Sequence, residues 1–415
     1  MLHTVLLGIA AWIITETLCV LIMRQQILNI FDPLILDTAF ISFSGALVVV
    51  LSDTKLIPEY IVPLFFLTLI GFLIGGKIAC IQFDRSLFRD ALDTTTQRFS
   101  IREITAVFFV TLALTLVLAA LGIALGASGD ARQAFAKIFR PLVLLQTGSF
   151  FLTLILLLSK NVSGPRAFLC ACVLTILTIP FSGKSVFLPF IFWIGLRLFV
   201  QRKALTLRTA ATTSLIGVVG VAAMGILAYR DSTLSGIFRL LAFRLWMSGD
   251  SYIYAYQFRA LSALRGYYHV SFVRYILHPF TALVGFRAYK EPLGAMLASR
   301  VVGHLVMTGP NPQLPVLLDF FFRKSYLVIF CIAALLGFLV IGLRSLSISL
   351  VQSRARFISL SMLSAAIFVP GAGFIDIEQS TITLISILSV AVLGCLLDLL
   401  LHRARHFPEH YLSKV

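Results

Sequence analysis

Apolar runs of membrane-crossing length follow one another along almost the whole chain, at residues 2–23, 34–52, 57–80, 104–126, 141–159, 165–181, 185–200, 209–229, 314–343, 358–372 and 380–401. A hydrocarbon layer about 30 Å thick takes about 20 apolar residues of helix to cross. Only helices and closed barrels satisfy their own backbone hydrogen bonds there, and these runs lack the apolar/polar alternation of barrel strands. The expectation is an all-α, polytopic transmembrane helical bundle of about eleven spans. The pair of short runs around Ser182-Gly183-Lys184 reads either as two spans or as one broken helix. Composition agrees: 59% of residues are hydrophobic and 13% charged, against about half and a quarter in soluble domains.

A net charge of +16 in a soluble protein would point to nucleic acid. Here much of it sits in short connections between apolar runs, where lysine and arginine set topology, so no nucleic-acid partner is implied. With the N-terminus outside, just over half of the 34 basic residues fall on the inner side, among them Arg24, Lys77, Arg85, Arg89, Arg98, Arg102, Arg202 and Arg356. The first run has neither a basic leader nor a small-residue cleavage pattern, so it reads as a retained helix. The six cysteines lie in or beside apolar runs without a paired spacing, which reads as packing and not as a disulfide framework or a zinc site.

The chain thus divides into an N-terminal bundle (1–229), a large, partly helical extracytoplasmic loop (230–313) and C-terminal helices with a short cytoplasmic tail (314–415). The loop is rich in cations and aromatics. Long loops cross membranes largely regardless of charge, so its arginines serve something other than topology, and anionic lipid or glycan carriers are the expected partners. Arg239 and Arg244 stand five apart, about 140° around a helix, either snorkelling from an interfacial helix or clamping a diphosphate through planar guanidinium forks. Arg259, Arg274 and Arg287 are the next candidates of the same kind. Asp250 follows Gly249 at a helix boundary, as an N-cap or as the base that takes a proton from an acceptor hydroxyl. His304 reads as structural or as a third catalytic candidate. Pro310, Pro312 and Pro315 lead into a helix where Asp319, Arg323 and Lys324 follow within about one turn, a costly arrangement at membrane depth that marks a polar cavity. Gly183-Lys184-Ser185 lacks the upstream glycine of a phosphate loop, because Thr178 occupies that place. The expectation is instead a sharp turn at residues 180–185 between two helices, with Lys184 pointing to the outer headgroup zone. No His/Asp/Glu spacing reads as a metal site, and no cofactor is implied.

Three features carry a resemblance to a known family: the Gly183-Lys184-Ser185 turn before an apolar helix, the arginine-bearing segment around Arg239 and Arg244, and the Thr308-Gly309-Pro310-Asn311-Pro312 stretch followed by Asp319. Together with the Arg24 to Leu34 segment, they resemble the Wzy-type O-antigen or oligosaccharide repeat-unit polymerases. The chain departs from that family in having Lys184 where an arginine is common, and Phe321-Phe322-Arg323-Lys324 where an aromatic followed by glycine is common. The resemblance implies a GT-C-like glycosyltransferase of the bacterial inner membrane whose main loop faces the periplasm. Such an enzyme moves a growing glycan from undecaprenyl diphosphate to the non-reducing end of a new lipid-linked repeat unit, with membrane lipid and a chain-length regulator as partners. On the reading of the residues, Asp250, Asp319 and His304 are the catalytic candidates, and Arg239, Arg244, Arg259, Arg274, Arg287, Lys184 and Arg323 the substrate-binding ones. The related O-antigen ligases are the runner-up. A lipid-linked oligosaccharide flippase or other transporter is the alternative from a different class, although such proteins usually show repeats and none is visible here.

Overall fold

A computed structural model describes residues 2–124, 135, 138–182, 187–202, 249–283, 286, 291–304, 309–351 and 355–405. All regular structure among them is helical. In order these helices are α1 (Leu2–Met23), α2 (Pro33–Asp53), α3 (Ile61–Ala79), α4 (Arg85–Gln97), α5 (Ile101–Ala124), α6 (Arg140–Leu156), α7 (Gly164–Ser182), α8 (Phe187–Val200), α9 (Asp250–Tyr252), α10 (Ala260–Leu264), α11 (Phe272–Leu283), α12 (Leu293–Val302), α13 (Leu314–Phe322), α14 (Tyr326–Leu350), α15 (Arg356–Phe368) and α16 (Ile377–Arg405). Six of the described helices (α1, α2, α3, α5, α14 and the first part of α16) are long and apolar enough to cross a membrane. Shorter apolar helices, α6, α7, α8, α12 and α15, accompany them. The protein is therefore a membrane-embedded helical bundle.

Local chemistry starts and stops these helices. Asp32 caps α2 by accepting the Leu34 amide (2.9 Å), with Pro33 at the first helical position, where its missing N–H costs nothing. Asp84 does the same for α4 through the Ser86 amide (2.7 Å). Packing then depends on close approach, because lipid chains are as apolar as leucine and give no hydrophobic drive between helices. At the α3–α14 seam, a Cβ on Gly75 would stand 1.8 Å from the Ala334 carbonyl oxygen, and one on Gly337 2.0 Å from that of Phe72. Only glycine lets these two backbones touch.

The ends of the bundle are distinct. At the end where α1 finishes and α2 begins, the Met23 end, Lys77 and Arg85 reach back to Gln25. Here α4 lies as an amphipathic helix, burying Phe88, Ala91 and Leu92. At the opposite end, the Tyr60 end, α3 and α14 begin, and Lys324 sits over the Tyr60 ring (3.7 Å to its centroid).

One apolar run does not become one helix. Residues 314–343 divide into α13 and α14 because Arg323 and Lys324 both adopt left-handed backbone (φ 48° and 63°), which no α-helix accommodates. The described part of 249–304 folds into short helices packed against the bundle, with Tyr252, Tyr256 and Tyr275 all buried. The runs at 209–229 and the turn at Gly183 lie outside the described residues.

Candidate functional site

The site is built on α13. Gln313 precedes it, fully buried, donating through Nε2 to Ser44 Oγ (2.7 Å) near the middle of α2 and accepting from the Tyr252 hydroxyl (3.0 Å). The Leu314 amide donates to the Phe374 carbonyl (3.1 Å). The helix thus starts at half the height of the bundle and runs to the Tyr60 end, with Leu314 to Phe320 all buried.

Asp319 is the node at its far end. Its Oδ2 accepts the Tyr256 hydroxyl (3.0 Å) and pairs with Arg265 Nη2 (3.1 Å), while Oδ1 accepts the Lys324 amide (3.2 Å). Arg265 also donates to the carbonyls of Asp319 and Phe320, capping the helix end where carbonyls lack partners and the macrodipole is negative. Tyr60 meets Tyr256 edge to face (6.3 Å). Burial, reinforced by the Asp319 carboxylate, pushes the Tyr60 phenol up to about 12. The same two causes raise Tyr256 well above its ordinary value, so it remains a proton donor to Asp319.

Left-handed, non-glycine backbone costs roughly 1–3 kcal/mol per residue and collects at functional sites. Beside this node it occurs at Arg323, Lys324 and also Arg259 (φ 52°), whose amide closes the turn after Tyr256 (3.2 Å to the Tyr256 carbonyl). Arg259, Arg323 and Lys324 are exposed. A buried acid therefore holds a strained turn that presents cations.

A second feature adjoins it. Phe321 packs on Tyr275 (5.6 Å between centroids), whose hydroxyl donates to Glu378 Oε2 (3.2 Å). Beyond Glu378 lies a cavity of about 200 Å³ bordered by Gly294, Gly309, Pro310, Asn311, Asp376 and Gln379. Asp376 caps α16 through the Gln379 amide (2.9 Å) and accepts Asn311 Nδ2. Burial pushes its carboxyl up to about 7, and the Glu378 charge adds to that.

The sequence candidates fall in different places. Asp319 forms the node, Arg323 follows it and Arg259 lies on the turn after Tyr256, but the ion partner of Asp319 is Arg265 and not Arg323 one turn away. Arg323 has left the helix and gives Asp319 only its amide, to the carbonyl oxygen (3.0 Å). Asp250 is buried and opens α9, behind Gly249 packed on Leu47. Arg274 is exposed on α11. His304 is exposed just after the α12 stop at Gly303, in an open hollow with Tyr267 and Arg300. Lys184, Arg239, Arg244 and Arg287 lie outside the described residues.

Arg265 and Asp376 are the residues that sequence reading passed over. Arg265 carries no local signature, whereas Asp376-Ile-Glu-Gln has the acid-to-glutamine spacing of a helix start. Compared with known proteins, the chain matches no family model, no curated protein and no solved structure.

Proposed function

We propose that this chain is a glycosyltransferase that polymerises lipid-linked oligosaccharide repeat units at the outer face of a bacterial inner membrane. In this reading the bundle has about eleven spans, the Tyr60 end faces out, and residues 230–313 belong to that face. The observation that carries the reading is the Asp319-held turn, which sets Arg323 and Lys324 beside the Tyr256–Arg259 turn where a membrane bundle meets headgroups. Guanidinium and ammonium groups fit the diphosphate of an undecaprenyl carrier. Exposed aromatics on the same segment, Phe258 (52%) and Tyr267 (78%), suit sugar rings or the headgroup zone.

The cavity at Asp376 receives the acceptor sugar. Asp376 takes the proton of the acceptor hydroxyl as its oxygen bonds to the donor's anomeric carbon. The bond from that carbon to the diphosphate breaks, and its electron pair leaves on the diphosphate, whose growing charge the cations stabilise. Asp319, sealed and fully hydrogen-bonded, positions the turn and takes no part in proton transfer.

The test is deletion of the gene followed by electrophoresis of surface glycan. A single-repeat cap on every chain is the expected product. Unchanged chain length would remove the polymerase reading. Loss of all surface glycan with lipid-linked units retained inside would assign a flippase, and intact undecaprenyl-linked polymer that never reaches its final acceptor would assign a ligase.

A further inference from the structure

At the Met23 end a hollow of about 330 Å³ lies between the α1–α2 connection, α4 and the end of α8. Leu28, Ile30, Phe31, Leu198 and Phe199 make its walls, and Arg89 and Arg202 supply its charge. The Arg89 guanidinium sits 6.0 Å from the centre of the Phe199 ring. Its Nε is shut away from solvent without a hydrogen-bond partner, a costly state for a charged donor. Asp90 Oδ1 stands 3.7 Å from that Nε and 3.9 Å from Arg202 Nη2, too far to hydrogen-bond either, on a side chain 61% exposed. Asn29 is committed elsewhere, donating to the Gly195 carbonyl (3.0 Å) and accepting the Phe31 amide (2.8 Å). Arg202 is held at the helix end in left-handed backbone (φ 54°).

Two guanidiniums sharing one distant carboxylate leave a net positive charge over an apolar floor. That is the shape of an amphiphile with an anionic head. The position agrees, because α4 is amphipathic and lies where the spanning helices α1 and α3 finish and α2 begins, and basic pockets between transmembrane helices take anionic lipid headgroups. We infer that this hollow seats the phosphate of an anionic phospholipid between Arg89 and Arg202, with its acyl chain along Ile30, Leu198 and Phe199. This site is separate from the Tyr60-end machinery and does not depend on what that machinery catalyses.

The test uses the full chain, purified in detergent and offered mixed micelles of phosphatidylglycerol and phosphatidylcholine, with retained lipid counted by native mass spectrometry. Wild type should retain phosphatidylglycerol preferentially. Arg89→Gln/Arg202→Gln should lower that retention about ten-fold or more, the size expected for charge-assisted hydrogen bonds. Arg102→Gln/Arg166→Gln, which removes the same charge from exposed sites at the same end, should retain it fully. Equal retention by the first double variant, or equal loss in the second, overturns the site. Displacement of the lipid by an excess of inorganic phosphate alone overturns the lipid assignment in favour of a phosphate site. Should the first variant not accumulate, Asp90→Ala supplies the opposite test: freeing both guanidiniums should raise retention several-fold, and unchanged or reduced retention rejects the proposal.

Discussion

Two arginine–aspartate pairs stand at opposite ends of this bundle and use the same chemistry for different ends. At the Met23 end, Arg344 and Asp32 are both fully buried and meet in a bidentate pair (2.8 Å for Nη1 to Oδ2). Arg344 also donates to the Gln26 and Ala366 carbonyls, and Asp32 also accepts the Leu28 and Leu34 amides. One pair thus ties the α1–α2 connection, α2, α14 and α15 together. At the Tyr60 end, Asp319 is equally sealed, but Arg265 keeps 21% of its side chain exposed. That carboxylate is spent on a tyrosine hydroxyl and a left-handed amide. The first pair locks helices in unstrained geometry, whereas the second holds strain and sets cations at the surface. A fully satisfied ion pair is a structural bolt, and a partly open one beside strained backbone is where chemistry is to be sought.

The largest expected effect is at the bolt. Arg344→Met leaves Asp32 buried without its counter-ion, which should cost about 3–5 kcal/mol and lower the melting point sharply, while Asp32→Asn/Arg344→Met together should recover much of it. Thermal unfolding in detergent measures both. A single variant as stable as wild type would erase the distinction between the two pairs.

Next comes the open pair. Arg265→Lys keeps a counter-ion for the buried Asp319 carboxylate but loses the fork that caps the α13 carbonyls. It should leave a folded protein but lower polymerisation about a hundred-fold, as for removal of one oriented group from a charge-stabilising site, because the turn bearing Arg323 and Lys324 loses its anchor. Lipid-linked repeat-unit assays read the rate, and wild-type chain length at wild-type abundance would show the turn to be passive. Arg323→Gly separates strain from charge. Glycine accepts φ 48° at no steric cost, so the melting point should rise by an amount corresponding to about 1 kcal/mol while polymerisation falls.

The third effect is pH-dependent. With its native pKa raised to about 7 from about 3.9 in the unfolded chain, Asp376 binds its proton more tightly when folded. The stability this adds is complete below about pH 4 and is lost as pH rises to about 7. Activity should move the other way, rising through about pH 7 as the base is freed. Asp376→Asn should flatten the stability profile and abolish the activity limb, and a profile unchanged by that substitution would exclude Asp376 as the base.

The smallest effect belongs to the exposed Lys55–Glu59 pair at the same end as the node. Exposed ion pairs contribute little, so Lys55→Ala should leave the melting point unmoved. A clear shift would mean that exposure is a poor guide to which pairs matter here.

Most helices were legible from the apolar runs, because each run carries its own instruction. The runs at 34–52 and 141–159 became α2 and α6 with little change at their ends. The break at Arg323 was not legible: nothing in Phe322-Arg323-Lys324-Ser325 demands left-handed backbone, and only the pull of the Asp319 carboxylate and the Tyr60 ring makes it stable. Asp319 itself was found from its unusual place in an apolar run. Arg265 was missed because it is one of many arginines in a basic segment, and no local pattern sets it apart.

By itself, then, the sequence determined that the chain lives in a membrane as helices and where most of them begin and end. Hydrocarbon obliges every segment to satisfy its own backbone hydrogen bonds, and that demand is met within about 20 consecutive residues. The tertiary structure alone decided which charges meet. Arg265 and the Asp319 carbonyl it caps are 54 residues apart in the chain, and Arg344 and Asp32 are 312 apart. Such pairs form only where packed helices such as α3 and α14, touching through Gly75 and Gly337, bring distant charges into one water-poor space. There an unpaired charge costs too much to persist.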